Sequence, residues 1–290
     1  MKKSIFILLY ASLLVLFGCN ENQKSSNVLT FEDANFEKIV RNAIKETIDA
    51  EFEGPITQED LAQLGKYFSK ANNKQHMDYF SITADVKSVA GIEYIDGLQH
   101  LFIYSSQVDL SAIRKLNSLL SATIIFSTVE DLTPLSKVNS LSFITSEFNV
   151  NQLEQFSNLI SFFMASSEVS AQGVIKNLHH NADLKTLELQ SSNGDLEGVE
   201  DLTAFPQLKN LNLDGNQIKD ITPLSKFADL TKISLRENEI EEIAVLLELP
   251  KLEFVDLEDN YLMRSQMKLS KNWIIRIFKC IINKLKASVF

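Results

Sequence analysis

Leu208-Lys-Asn-Leu211-Asn-Leu213-Asp-Gly-Asn216-Gln-Ile218-Lys-Asp-Ile221-Thr-Pro-Leu224-Ser-Lys-Phe227 is the stretch from which the fold is read. At Leu230 it begins again. Leu230, Ile233, Leu235, Asn238, Ile240, Ile243, Leu246 and Leu249 hold the same offsets, and Leu252 opens a third copy, so the period is 22 residues. Leu211 and Leu213 are two apart and point to one side of a short strand. Asn216 ends that strand, where a buried side-chain amide can bond backbone groups that a turn leaves unpaired. Ile218, Ile221, Leu224 and Phe227 line a return leg. One such turn cannot bury its apolar face alone. Stacked turns bury it together and pair their strands into one parallel sheet.

This L-x-x-L-x-L-x-x-N-x-L pattern resembles a leucine-rich repeat. Tracing the phase backwards from Leu208 gives strand starts at Leu184, Leu159, Leu141, Leu119, Leu98 and Met77. The Asn position then holds Asn149, Asn216, Asn238 and Asn260, with Ser106, Ser127, Ser167, Ser192 and Asp85 elsewhere. Glu130-Asp-Leu-Thr-Pro-Leu-Ser-Lys-Val138 echoes Lys219-Asp-Ile-Thr-Pro-Leu-Ser-Lys-Phe227, so the phase persists through the degenerate half. His179-His180-Asn-Ala-Asp183 reads as an inserted loop or helical turn. The expected fold is an α/β solenoid: a horseshoe with a parallel concave sheet, an N-terminal helical cap over 30–75, repeats over 76–263 and a C-terminal helix.

The cap reading rests on two amphipathic stretches. Asp33 caps the first, with Phe36, Ile39, Val40, Ala43 and Ile44 on one face. Glu53-Gly54-Pro55 breaks it. Thr57-Gln-Glu-Asp60 then reads as a capping box for the second, with Leu61, Leu64 and Phe68 on one side. An open-ended solenoid needs such a lid.

The N-terminus reads as targeting sequence: Lys2-Lys3, an apolar run from Ile5 to Phe17, then Leu16-Phe17-Gly18-Cys19. This resembles the lipobox of bacterial lipoproteins, which implies cleavage before Cys19, a lipid on its sulfur and a polar tether over residues 20–29. The chain has only two cysteines, Cys19 and Cys280, so no disulfide framework is available. The net charge of −10 conceals an asymmetry. Residues 264–290 carry seven Lys and Arg and no acid, which leaves 20–263 at −19. So acidic a body repels nucleic acid. Asn272, Arg276, Lys279, Asn283 and Lys286 recur at helical spacing among Trp273, Ile274, Ile277, Phe278, Ile281, Ile282 and Leu285. That basic amphipathic helix suits either the end of the last repeat or a membrane surface.

The 22-residue unit, Asn216-x-Ile-x-Asp-Ile-x-Pro-Leu224, the lead-in Phe31-Glu-Asp-Ala-Asn-Phe-Glu-Lys-Ile-Val40 and Ile56-Thr-x-x-Asp-Leu61 together resemble the internalin-type leucine-rich repeat proteins of bacteria, over roughly residues 30–262. The resemblance implies the fold and does not specify a ligand. No immunoglobulin-like domain follows the repeats, and anchoring reads as lipid rather than a wall-sorting motif.

In a leucine-rich repeat the outward strand positions form one concave face. The traced register places Phe102, Tyr104, Phe126, Phe143, Phe148 and Phe163 there in the first half, and Asp214, Arg236, Asp256 and Glu258 in the second. It turns Leu101, Ile103, Ile144 and Phe162 inward. A slip of register would instead make the phenylalanines core. A contiguous aromatic patch marks an interaction surface. No nucleophile–base pair, phosphate loop or metal-ligand spacing is present, and no cofactor is expected. The expectation is a non-catalytic, lipid-anchored envelope protein, periplasmic or surface-exposed, that binds a protein. An inhibitor or immunity-type protein with one cognate enzyme, and a structural scaffold, are the alternatives.

Overall fold

The computed structural model describes residues 27–70, 79–83, 85–104, 107–191 and 199–262. Cys19 with its signal and tether, the Met77 strand start, Ser106, Ser192 and the basic segment 264–290 lie outside the described residues.

Two helices open the described chain, α1 (Ala34–Thr47) and α2 (Gln58–Lys70). Asp33 starts α1 by accepting from the N–H groups of Asn35 and Phe36 through Oδ1. Its other oxygen accepts from the Lys87 N–H at 2.7 Å, so the cap residue also ties the helix to the first repeat. Partial burial raises the Asp33 pKa, but the N–H donors of Lys87, Phe36, Asn35 and Ser88 outweigh it and hold the carboxyl below its ordinary value. Thr57 and Asp60 form a reciprocal box: Asp60 accepts from the Thr57 N–H, and Thr57 Oγ1 from the Asp60 N–H. Phe36, Val40, Ile44, Leu61 and Leu64 are buried. At Gly65 a Cβ would sit 1.8 Å from the Asp96 carbonyl oxygen, so only glycine lets α2 lie this close to the next loop.

Nine strands follow in one parallel sheet: β1 (Phe80–Ile82), β2 (His100–Ile103), β3 (Ser121–Ile125), β5 (Ser140–Ile144), β7 (Ser161–Ala165), β8 (Thr186–Gln190), β9 (Asn210–Asn212), β10 (Lys232–Ser234) and β11 (Phe254–Asp256). They lie in that order, each beside its sequence predecessor among the nine. A second, two-stranded sheet pairs β4 (Thr128–Val129) with β6 (Glu147–Phe148). Short 3₁₀ turns carry the return legs, as at Ser111–Lys115 and Thr222–Lys226. Helix α3 (Ala171–Asn177) does so in the long repeat. This is a leucine-rich repeat solenoid.

The strand-end turn recurs with one backbone conformation. Phe126, Thr145, Ser166, Ser191, Gly215, Glu237 and Asp259 all have φ between 47° and 66°. The N–H of each of the first six donates to a carbonyl of the following repeat, as Phe126 to Ile144 and Glu237 to Glu258. The left-handed cost at non-glycine residues is offset by a hydrogen bond that only a stacked neighbour supplies.

The asparagines close the same turns. Asn238 Nδ2 donates to the carbonyls of Leu213 and Arg236, and its Oδ1 accepts from the Ile218 N–H. Asn260 repeats this with Leu235, Leu257 and Ile240. Asn216 donates to Leu189 and Leu213. Its buried Oδ1 has no partner among the described residues.

One stretch of the register differs from the expectation. β5 pairs Ser140 with Ser121 and with Ser161, so the repeat steps there are 19 and 21 residues, and the strand start is Val138 rather than Leu141. Counting outward from Val138, Phe143 takes the offset of Leu213 and Leu235, and Phe148 that of Ile218 and Ile240. Both are core: Phe143 is fully buried, Phe148 is 9% exposed, and their rings stack at 4.0 Å. Ile144, expected inward, faces outward. Asn149 is not in the ladder. It is exposed and caps a 3₁₀ turn by accepting from the Asn151 N–H. Ser146 stands at the ladder position, buried, with its hydroxyl bonded to the Ile144 carbonyl and accepting from the Ser127 N–H.

The physical cause is a missing turn. In the Leu208 repeat three successive turn bonds, Leu224 to Ile221, Phe227 to Leu224 and Leu230 to Phe227, complete the return leg. In the Leu119 repeat the corresponding series has two steps, Leu135 to Leu132 and Val138 to Leu135, with Ser136 to Thr133 inside the same turn. Val138 therefore ends one repeat and begins the next.

Candidate functional site

The outward residues fall into three rows along the sheet. The first is Tyr79, His100, Ser121, Ser140, Ser161, Thr186, Asn210, Lys232 and Phe254; the second is Ser81, Phe102, Thr123, Ser142, Phe163, Glu188, Asn212, Ser234 and Asp256. The third runs through Tyr104, Ile125, Ile144, Ala165, Gln190, Asp214, Arg236 and Glu258. Alternation of buried and half-buried residues along each strand puts these on the face away from the core.

The N-terminal end of this face is aromatic. The Tyr79 ring meets Phe102 at 5.2 Å and His100 at 6.0 Å, both edge to face. Tyr104 meets Phe126 at 5.5 Å in the same geometry. Tyr104 is 49% and Phe126 56% exposed. Phe126 also sits in the left-handed region, where a bulky side chain is rare. His100 Nδ1 lies 2.7 Å from Ser121 Oγ, and burial lowers its pKa, which favours the neutral ring.

Small side chains separate it from the far end. Ser121, Thr123, Ser140, Ser142 and Ser161 leave a low floor beside Ile125 and Ile144, with Phe163 half-buried in the middle. The C-terminal end is acidic and internally braced. Arg236 lies 2.6 Å from Glu258 and 3.3 Å from Asp256. Asp214 Oδ1 accepts from Ser234 Oγ at 2.7 Å and from the Arg236 N–H at 2.8 Å. The Asp256 hydrogen bond, with the neighbouring carboxylate charges, raises the Arg236 pKa. Its charge is therefore already committed to neighbours, and the surface presented is net acidic, with Glu188, Glu237 and Asp259 adding to it.

The sequence-derived set thus divides. Phe102, Tyr104 and Phe126 cluster, Phe163 stands apart toward the centre, and Asp214, Arg236, Asp256 and Glu258 gather at the other end. Phe143 and Phe148 do not reach the face. Tyr79, Ile144 and Phe254 belong to it and were missed. Tyr79 sits two residues past Met77 and was findable by offset alone. Asn181, within the supposed inserted loop, is buried. Its Oδ1 accepts from the Leu159 N–H, and its Nδ2 donates to the carbonyls of Phe156 and Leu178. The neighbouring His179 and His180 rings lie 3.8 Å apart at the exposed surface. Among the described residues no group of three or more His, Cys, Asp or Glu is placed to hold a metal ion.

The leucine rich repeat family profile matches residues 206–262. Solved structures that share the fold include two from one bacterium. One is an internalin (inlF) from Listeria monocytogenes, 19% identical, covering 79% of this chain and 70% of that one, with a TM-score of 0.54. The other is a functional domain of InlJ from the same organism that includes a cysteine ladder, 21% identical, covering 80% of this chain and 47% of that one, with a TM-score of 0.54. No curated protein sequence matches the chain. The described residues form a leucine-rich repeat solenoid, and its fold is similar to that of these internalins.

Proposed function

We propose that this chain is a non-catalytic, lipid-anchored protein of a bacterial cell envelope that binds a protein partner through the concave sheet. The observation that carries the binding site is the pair Tyr104–Phe126. Two large rings stand about half exposed and in mutual contact. Apolar surface of that size contributes more to affinity in a partner's pocket than in water. Anchoring through Cys19 is supported by the sequence before it. Among the described residues no helix is long and apolar enough to cross a membrane.

A photo-crosslinking residue at Tyr104, with another at Lys226 on the return leg, tests the binding face in cells. A discrete protein adduct from position 104 and none from 226 is the expected result. Equal labelling from both sides contradicts a concave-face site. Cys19→Ala should release the chain from membranes or leave it unprocessed; normal retention with normal signal removal contradicts lipid anchoring. The acidic end supports the inhibitor or immunity-type reading, in which a basic enzyme is the partner. That reading expects the adduct from a crosslinker at Glu258 instead.

A further inference from the structure

The concave face does not stop at β1. Ile39, Ala43 and Glu46 recur at steps of four and three, so they share one face of α1. With Tyr67 of α2 and the outward side chains of Tyr79 and Ser81, they line a cavity of about 600 Å³ between the helical cap and the sheet. This corner is continuous with the aromatic patch, because the Tyr79 ring that lines it also meets Phe102.

The cavity sets rings beside acceptors that have no donor. Glu46 is exposed, and among the described residues its carboxylate has neither an ion pair nor a hydrogen bond. The cations closest to it in sequence are already matched, Arg41 by Glu37 at 2.9 Å and Lys45 by Glu53 at 2.6 Å. None of the described residues lining the cavity is a Lys or Arg. The strand adds a second acceptor. The Tyr104 N–H donates to the Ile82 carbonyl, which fixes the phase of the parallel ladder, so Phe80 and Ile82 turn their backbone groups toward β2. Ser81 turns its own N–H and carbonyl the other way, toward the cap, where no described residue bonds them.

We infer that this corner receives an arginine or lysine side chain of the protein partner. The aliphatic stem lies along Tyr67 and Tyr79, and the charge meets Glu46 and the Ser81 carbonyl. An apolar anchor of the same size would cover that carboxylate and carbonyl without pairing them, a cost that the donors of a cation remove. The inference rests on the concave-face reading for which molecule supplies the side chain; the chemistry of the corner stands apart from it.

Peptide probes test the corner without a partner. An acetylated, amidated pentapeptide of four alanines around a central arginine should shift the backbone amide NMR resonances of Ala43, Glu46 and Ser81 saturably in the isotope-labelled protein. The same peptide with norleucine at its centre should bind several-fold more weakly. Glu46→Gln should remove that preference and leave the melting temperature and the norleucine affinity unchanged. Equal binding of the two peptides overturns the proposal, as do arginine-induced shifts confined to the acidic end around Asp256 and Glu258. Glu46→Lys should also lower affinity for the protein captured from position 104 several-fold, and undiminished affinity overturns the proposal too. The two readings fail separately. No arginine preference, with partner binding still lost on Tyr104→Asp and Phe126→Asp, strikes the corner alone. Arginine binding at Glu46 with no adduct from position 104 supports the corner and strikes the face alone.

Discussion

Phe143 and Phe126 look alike in sequence, each near a strand end in the degenerate repeats, yet one is core and the other half exposed. What separates them is a three-residue turn that the Leu119 repeat lacks. The echo between Asp131–Val138 and Asp220–Phe227 aligns Val138 with Phe227 and was legible. That Val138 also starts the next strand was not, because Leu141 offers a better leucine three residues on. Side-chain size therefore misled where hydrogen-bond spacing decided. Phe143→Asp should unfold the domain, because an unpaired buried charge exceeds what a marginally stable fold absorbs. Phe126→Asp should leave the melting temperature nearly unchanged. The ladder makes a graded prediction. Asn238→Leu and Asn260→Leu should each cost about 1–3 kcal/mol in denaturant melts, through stranded carbonyl and N–H groups. Asn149→Leu should cost well under that, being an exposed cap. Equal losses at Asn149 and Asn238 would restore the register with Leu141 at the strand start.

The elements at the N-terminal end were readable because capping signals are local. Asp33, Thr57 and Asp60 announce two helices within a few residues of their true starts. What no local signal conveys is that Asp33 also binds Lys87, or that Gly65 exists to admit the Asp96 carbonyl. Gly65→Ala should destabilise the domain by about 1–3 kcal/mol, as overpacking against backbone does. A neutral result by thermal melt would mean α2 is not seated on the first repeat. Asp33→Ala should cost about 1 kcal/mol at neutral pH from the lost cap. The pH dependence follows from the lowered carboxyl pKa in the fold. The contribution is complete above the unfolded value near about 3.9 and is lost as pH falls through the lower folded value. The stability gap between wild type and Asp33→Ala should therefore be flat at higher pH and shrink in acid. A gap that widens in acid contradicts the assigned bonds.

At the scale of the molecule, the repeat period specifies the sheet and with it a face that sums contributions from nine strands among the described residues. The sequence pattern foretold an aromatic end and an acidic end. The structure moves the aromatic centre toward β1 and β2 by removing Phe143 and Phe148 and adding Tyr79. The central claim is that this patch holds the partner. Its most direct measurement is the affinity of the protein captured from position 104 for the Tyr104→Asp, Phe126→Asp double variant, with melting temperature recorded alongside. Loss of binding by at least tenfold, about 1.4 kcal/mol or more, at an unchanged melting temperature is the predicted result. Undiminished binding by a folded double variant would contradict it and move the site to the acidic end around Asp214, Asp256 and Glu258.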